Sequence, residues 1–231
     1  MTEAEWLAAT DPTPMLEFAR GTLSDRKLRL FVVSLSQLFW NDLNIEEIRS
    51  AILTNEKYAD GMATEDELCK ARSTAHGTAH NVRWYWQNEP GGYEVPERRK
   101  YLTDRLGQLT EQLCRRFFFA VFMTNRPERL RREPMPMLAT DPVLYKESVN
   151  LLRCVLGNPF RPVTIDPSWL TSTVLALAEG IYQDRAFDRL PILADSLMDA
   201  GCENEDILNH SRSDGVHVRG CWVVDLLTGR S

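Results

Sequence analysis

Helix-start signals punctuate this chain more densely than any other pattern, and they leave little room for a sheet. Thr2-x-x-Glu5, Asn44-x-x-Glu47 and Thr64-x-x-Glu67 each set a side-chain acceptor three residues ahead of a glutamate, so that each residue can take the other's backbone N–H. Ser24 precedes DRKLRLF as a further N-cap, and Thr13-Pro14 puts proline at a first helical position. Gly21, Gly61 and Gly201 close periodic stretches, where a left-handed C-cap is expected. Leu28, Phe31, Val32, Leu35, Leu38 and Phe39 recur at three- and four-residue spacing, which predicts one buried helix face. VVSL and CWVV are short and lie inside helical periodicity. Helices are predicted over residues 3–9, 14–20, 25–40, 45–60, 65–88, 96–123, 142–156, 172–184, 189–200, 204–210 and 219–228. The expected fold is all-α, an irregular multi-helix bundle.

Glu133–Pro142, EPMPMLATDP, is the best boundary, because its prolines disfavour helix while its apolar residues suit a packed connector. It divides an N-terminal helical portion, 1–132, from a C-terminal helical module, 142–231, and the two could form one compact domain. The proline-bearing GNPFRPVTIDP makes a second break. No apolar run approaches the roughly 18 residues of a membrane helix. Glu3 and Glu5 stand where a signal peptide would be basic, so a cytoplasmic protein with no membrane association is expected.

Five cysteines, without a CxxC pair, argue against a disulfide framework. Cys114, Cys154 and Cys221 sit in apolar contexts (QLCRRFFF, LLRCVLG, GCWVV), where a reduced thiol packs as a small hydrophobe.

Two clusters could carry metal chemistry. Cys69, His76 and His80 fall on one stripe of the helix 65–88, and His76/His80 have the i,i+4 spacing of zinc-protease helices. Gly77 replaces the glutamate of HExxH, which excludes that protease chemistry. In the tail, Cys202, His210, His217 and Cys221 lie within twenty residues. A helix over 204–210 would set Cys202 about 12 Å from His210, too far for one ion. His217 and Cys221 could share an ion at i,i+4 if the last helix starts early, with His210 joining across SRSDGV. In both clusters polar packing competes with metal binding: no cofactor is the first expectation, and zinc the alternative.

The net charge is −6, yet residues 97–132 carry ten Arg/Lys against four Asp/Glu and are +6, leaving −12 on the rest. Arg126, Arg129, Arg131 and Arg132 therefore suit a partner-facing patch, on an acidic protein surface or a second copy of the chain. A pI near 5.3 makes nucleic acid the weaker alternative. Trp84 and Trp86, before the Pro90-Gly91-Gly92 break, suit a partner surface or a core under a loop.

The opening MTEAEWLAATDPTPMLEFARGTLSDRKLRLF and the tail from Gly157, GNPFRPV to HVRGCWVVDLL, resemble a helical protein family with many copies in planctomycete genomes. Within that tail, RLPILADSLMDAGCENEDILNH is similar to the planctomycete repeat-companion domain, with Ala194, Asp195, Leu197, Gly201 and Ile207 at the matching places. The resemblance covers about half the chain and implies a helical module that accompanies repeat proteins, with no particular reaction. Family members carry a cysteine-rich string where this chain has Val32-Val33-Ser34-Leu35-Ser36-Gln37, so metal or redox chemistry on that string does not transfer. The leading expectation is a non-enzymatic helical interaction or adaptor module. Its rivals are a metal-binding protein or metalloenzyme and, more weakly, a nucleic-acid-associated regulator.

Overall fold

The computed structural model describes residues 1–41, 43, 45–87 and 142–230, excepting the side chains of 80–87 and 142–143. The described residues are all-α, with ten α-helices and no strand. The helices are α1 Glu3–Ala8, α2 Pro12–Ala19, α3 Asp25–Gln37, α4 Glu46–Ala59 and α5 Glu65–Gln87. After these come α6 Pro142–Leu156, α7 Ser172–Asp184, α8 Leu190–Asp199, α9 Glu205–Arg212 and α10 Trp222–Thr228. Among the described residues no helix is long and apolar enough to cross a membrane.

The capping chemistry explains most of the starts. Thr2 and Glu5 exchange bonds at 2.7 and 3.3 Å, and Thr64 and Glu67 do the same at 2.8 and 3.3 Å. Ser24 Oγ accepts from Lys27 N at 3.2 Å. One expectation is corrected. Helix α2 starts two residues early, because Asp11 caps it through Thr13 N at 2.8 Å and Pro12 takes the first turn. Ile45 precedes helix α4, and Asn44 of the expected third capping box lies outside the described residues.

The chain divides into two compact units, one of Met1–Lys27 with Lys146–Ser231, the other of Leu28–Tyr145. In the second unit α4 and α5 pack along each other, burying Ile48, Ala51 and Ile52 of α4 and Leu68, Ala75 and Ala79 of α5. Arg29 bonds Asn55 at 3.1 Å and lies over the Tyr58 ring. Helix α3 is buried on more than the expected face: Leu30, Val33, Ser34 and Ser36 are buried too, while Leu38, beyond the helix end, is exposed. Its two serines return their hydroxyls to the Leu30 and Val32 carbonyls, at 2.8 and 2.9 Å, so the burial leaves no orphan hydroxyl.

The other unit has its core where α7, α8, α9 and α10 meet, around Val174, Ile181, Tyr182, Leu190, Leu193, Leu197, Ile207 and Val224. Each leucine fully buried there contributes about 1.5–3 kcal/mol. The first 27 residues are tied to this unit by polar bonds to backbone. Arg153 Nη2 on α6 donates to the Trp6, Leu7 and Ala9 carbonyls, each at 2.9 Å, at the end of α1. Glu3 takes Asn158 and Arg161 at 2.7 and 2.6 Å, and Phe18 stacks on Phe160. One guanidinium thus closes carbonyls that a six-residue helix cannot satisfy itself. Arg153→Met should cost about 2–3 kcal/mol and expose residues 1–20 to protease, measured by denaturation and limited proteolysis. Unchanged cleavage would contradict this tie.

Candidate metal centre

Four side chains converge in this unit. Cys154, His210, His217 and Cys221 each direct one sulfur or nitrogen to a common point, and these atoms all lie within 4.8 Å of one another. Cys154 Sγ is 3.8 Å from His217 Nδ1, and His210 Nε2 is 3.2 Å from Cys221 Sγ. A tetrahedral zinc ion with bonds of about 2.3 Å to sulfur and 2.0–2.1 Å to nitrogen sets its ligand atoms about 3.3–3.8 Å apart. The two sulfur–nitrogen distances, 3.2 and 3.8 Å, bracket the roughly 3.6 Å edge of such an ion, and the widest separation, 4.8 Å, would close by about 1 Å on binding. Both cysteines are buried and both histidines half-buried.

Local chemistry places each ligand. Cys154 lies in the last turn of α6, which ends at Gly157 in the left-handed conformation, φ +68°. His210 lies in the last turn of α9, whose C-cap Ser213 bonds the His210 carbonyl through its hydroxyl at 2.8 Å. Cys221 is the N-cap of α10, and its N–H bonds the Val218 carbonyl at 2.9 Å. The expected i,i+4 helical pairing of His217 with Cys221 is corrected here. Gly220, at φ +90°, holds a turn in place of the first helical residues, and this turn carries His217 to the cysteines from a loop.

Hydrogen bonding fixes the His217 ring. Its Nε2 is 3.2 Å from both the carbonyl and the hydroxyl of Ser213. Donation of Nε2–H to that carbonyl leaves the Nδ1 lone pair facing Cys154, the orientation a metal-binding imidazole needs. The His210 ring meets His217 edge-on at 4.8 Å and leans on the Trp222 indole at 5.3 Å.

The thiols are electrostatically unequal. The Cys221 hydrogen bond, then burial, pushes the Cys154 thiol well above its usual range. Burial pushes Cys221 up as well, but bonds from Cys154, His210 and His217 outweigh it and hold this thiol well below. Burial works to lower His217, yet the Cys221 contact and the Ser213 carbonyl leave it raised. Without a cation, the two thiols are pushed in opposite directions. A divalent ion removes the conflict by accepting both as thiolates.

The cluster joins three residues expected as ligands to one expected as packing. His210, His217 and Cys221 come together, and Cys154 is the member of the cluster that sequence reasoning missed. Cys202 stays apart in the apolar core, consistent with its distance from His210. Cys69 and His76 are exposed on α5, where Cys69 Sγ lies 3.6 Å from Glu65 Oε1. The side chains of His80, Trp84 and Trp86 lie outside the described residues, as do Arg126, Arg129, Arg131 and Arg132.

Gly157 offers a local test. A Cβ there would come within 3.0 Å of Trp222 Cγ and Cδ2, and the left-handed φ adds about 1–2 kcal/mol of strain for an L side chain. Gly157→Ala should therefore push Trp222 against His210, lowering stability by about 2–4 kcal/mol in thermal denaturation. A variant as stable as the parent would contradict the contact. No family model, no curated protein and no solved structure matches this chain.

Proposed function

We propose that the chain is a non-catalytic helical interaction module, one unit of which is organised around a single zinc-type ion held by Cys154, His210, His217 and Cys221. The convergence of two thiols and two imidazoles within 4.8 Å carries this reading. Two sulfurs and two nitrogens suit zinc, whereas magnesium and calcium require oxygen ligands. Four protein ligands complete a tetrahedron and leave no position for water or substrate, which is the structural and not the catalytic pattern. Such an ion joins the ends of α6 and α9 to the start of α10, three elements that local sequence alone cannot hold together. The module then offers a stable surface for a protein partner, in keeping with the helical family that its two ends resemble.

Protein purified without a histidine tag or chelator should contain zinc, about one ion per chain for the four-ligand set among the described residues. His210→Ala and Cys221→Ser should lower that content, while Cys69→Ser and His76→Ala on α5 should not. Elemental analysis finding folded, metal-free wild-type protein would overturn the proposal.

A further inference from the structure

Lys27 closes the N-terminal stretch that folds with residues 146–231, and its ammonium reaches the backbone beside both cysteines of the cluster. Its Nζ donates to the carbonyl of Val155, the residue after Cys154, at 3.1 Å. It also donates to the carbonyl of Gly220, the residue before Cys221, at 2.7 Å. Asp225 Oδ2, on α10, lies 2.6 Å away. The three protons of an ammonium are thereby matched to three acceptors in a largely buried setting. Its neighbour Arg26 also grips Asp225, at 2.7 and 3.2 Å, but where Lys27 takes the two carbonyls Arg26 takes the Tyr182 hydroxyl, at 2.7 Å.

We infer that Lys27 is a positioning residue for the metal centre, bridging the backbones of its two cysteine ligands, so that metal binding and docking of residues 1–27 form one linked equilibrium. The inference rests on the metal reading of Cys154, His210, His217 and Cys221. Two carbonyls held by one cation keep the Cys154 and Cys221 turns at a fixed separation before the ion arrives, which reduces the ordering needed on binding. Reciprocity follows: whatever strengthens Lys27 docking tightens the metal, and the metal strengthens docking by the same factor.

The test uses the full chain, zinc and a competing chelator. Lys27→Met should bind zinc about 10–100-fold more weakly, the range found when residues orienting metal ligands are removed. Lys27→Arg should recover part of the loss, and the thiolate-to-cobalt absorption of cobalt-loaded Lys27→Met should shift from that of the parent. Arg26→Met should lose clearly less zinc affinity than Lys27→Met, since it weakens the docking of residues 1–27 but leaves the carbonyl bridge in place. Hydrogen exchange of residues 1–27 in the wild-type chain should slow when zinc is added, and this arm stands even if Lys27→Met fails to fold. Wild-type affinity in Lys27→Met, an equal loss in Arg26→Met, or unchanged exchange in residues 1–27 would each overturn the bridge. Absence of zinc binding by the wild-type chain would overturn the metal reading itself, and the bridge with it.

Discussion

Cys154→Ser should lower zinc affinity by about two to three orders of magnitude. Closed zinc sites contribute about 10–16 kcal/mol in small peptides, or about 3–4 kcal/mol for each of four ligands. At 1.4 kcal/mol per decade this gives a factor of about 10²–10³. Cys154 is the informative position because it is fully buried in an apolar turn and would serve equally well as packing. The two roles separate on addition of metal. Zinc should raise the melting temperature of the wild-type chain by clearly more than that of Cys154→Ser, because an ion stabilises the folded form in proportion to the logarithm of its affinity. Equal affinities in chelator competition, with equal thermal responses, would return Cys154 to the core as an ordinary small residue.

The second large effect lies at Asp225. This carboxylate is almost completely buried on α10, facing Arg26 at 2.7 Å and Lys27 at 2.6 Å. Arg26, Arg219 and Arg230 also surround the Tyr182 ring, at 5.9, 5.2 and 4.2 Å from its centre. Removing this negative charge leaves two largely buried cations facing a neutral group in its place. Breaking a buried pair from one side costs about 3–5 kcal/mol. For a chain of this size Asp225→Asn should lower the melting temperature by roughly 10 °C. A shift within about 2 °C, measured by calorimetry, would mean that solvent already screens these charges.

The helical class was legible because its signals are local. A capping box spans four residues, and the boxes at Thr2 and Thr64 form as the spacing predicts. The extent of burial was less legible: periodicity marked one face of α3, while Leu30 and Val33, off that face, are also buried, since the pattern does not say how many neighbours surround a helix. The candidate site divides the same way. His210, His217 and Cys221 fall within twelve residues and could be grouped by eye. Cys154 stands 56 positions before His210 in an apolar helix, so only tertiary packing brings it to them. One signal did exist: it sits three residues before Gly157, at the edge of the tail already singled out. On α5 shared facing is not by itself convergence, and the His80 side chain lies outside the described residues. Cys69 and His76 point outward from one helix, whereas the four-residue site draws on three segments that approach one another.

X-ray absorption at the zinc edge of the purified, tag-free protein tests the metal centre most directly. The arrangement of Cys154, His210, His217 and Cys221 predicts two sulfurs at about 2.3 Å and two nitrogens at about 2.0–2.1 Å, with no bound water. A first shell of nitrogen and oxygen alone, or a folded protein without zinc, would contradict it.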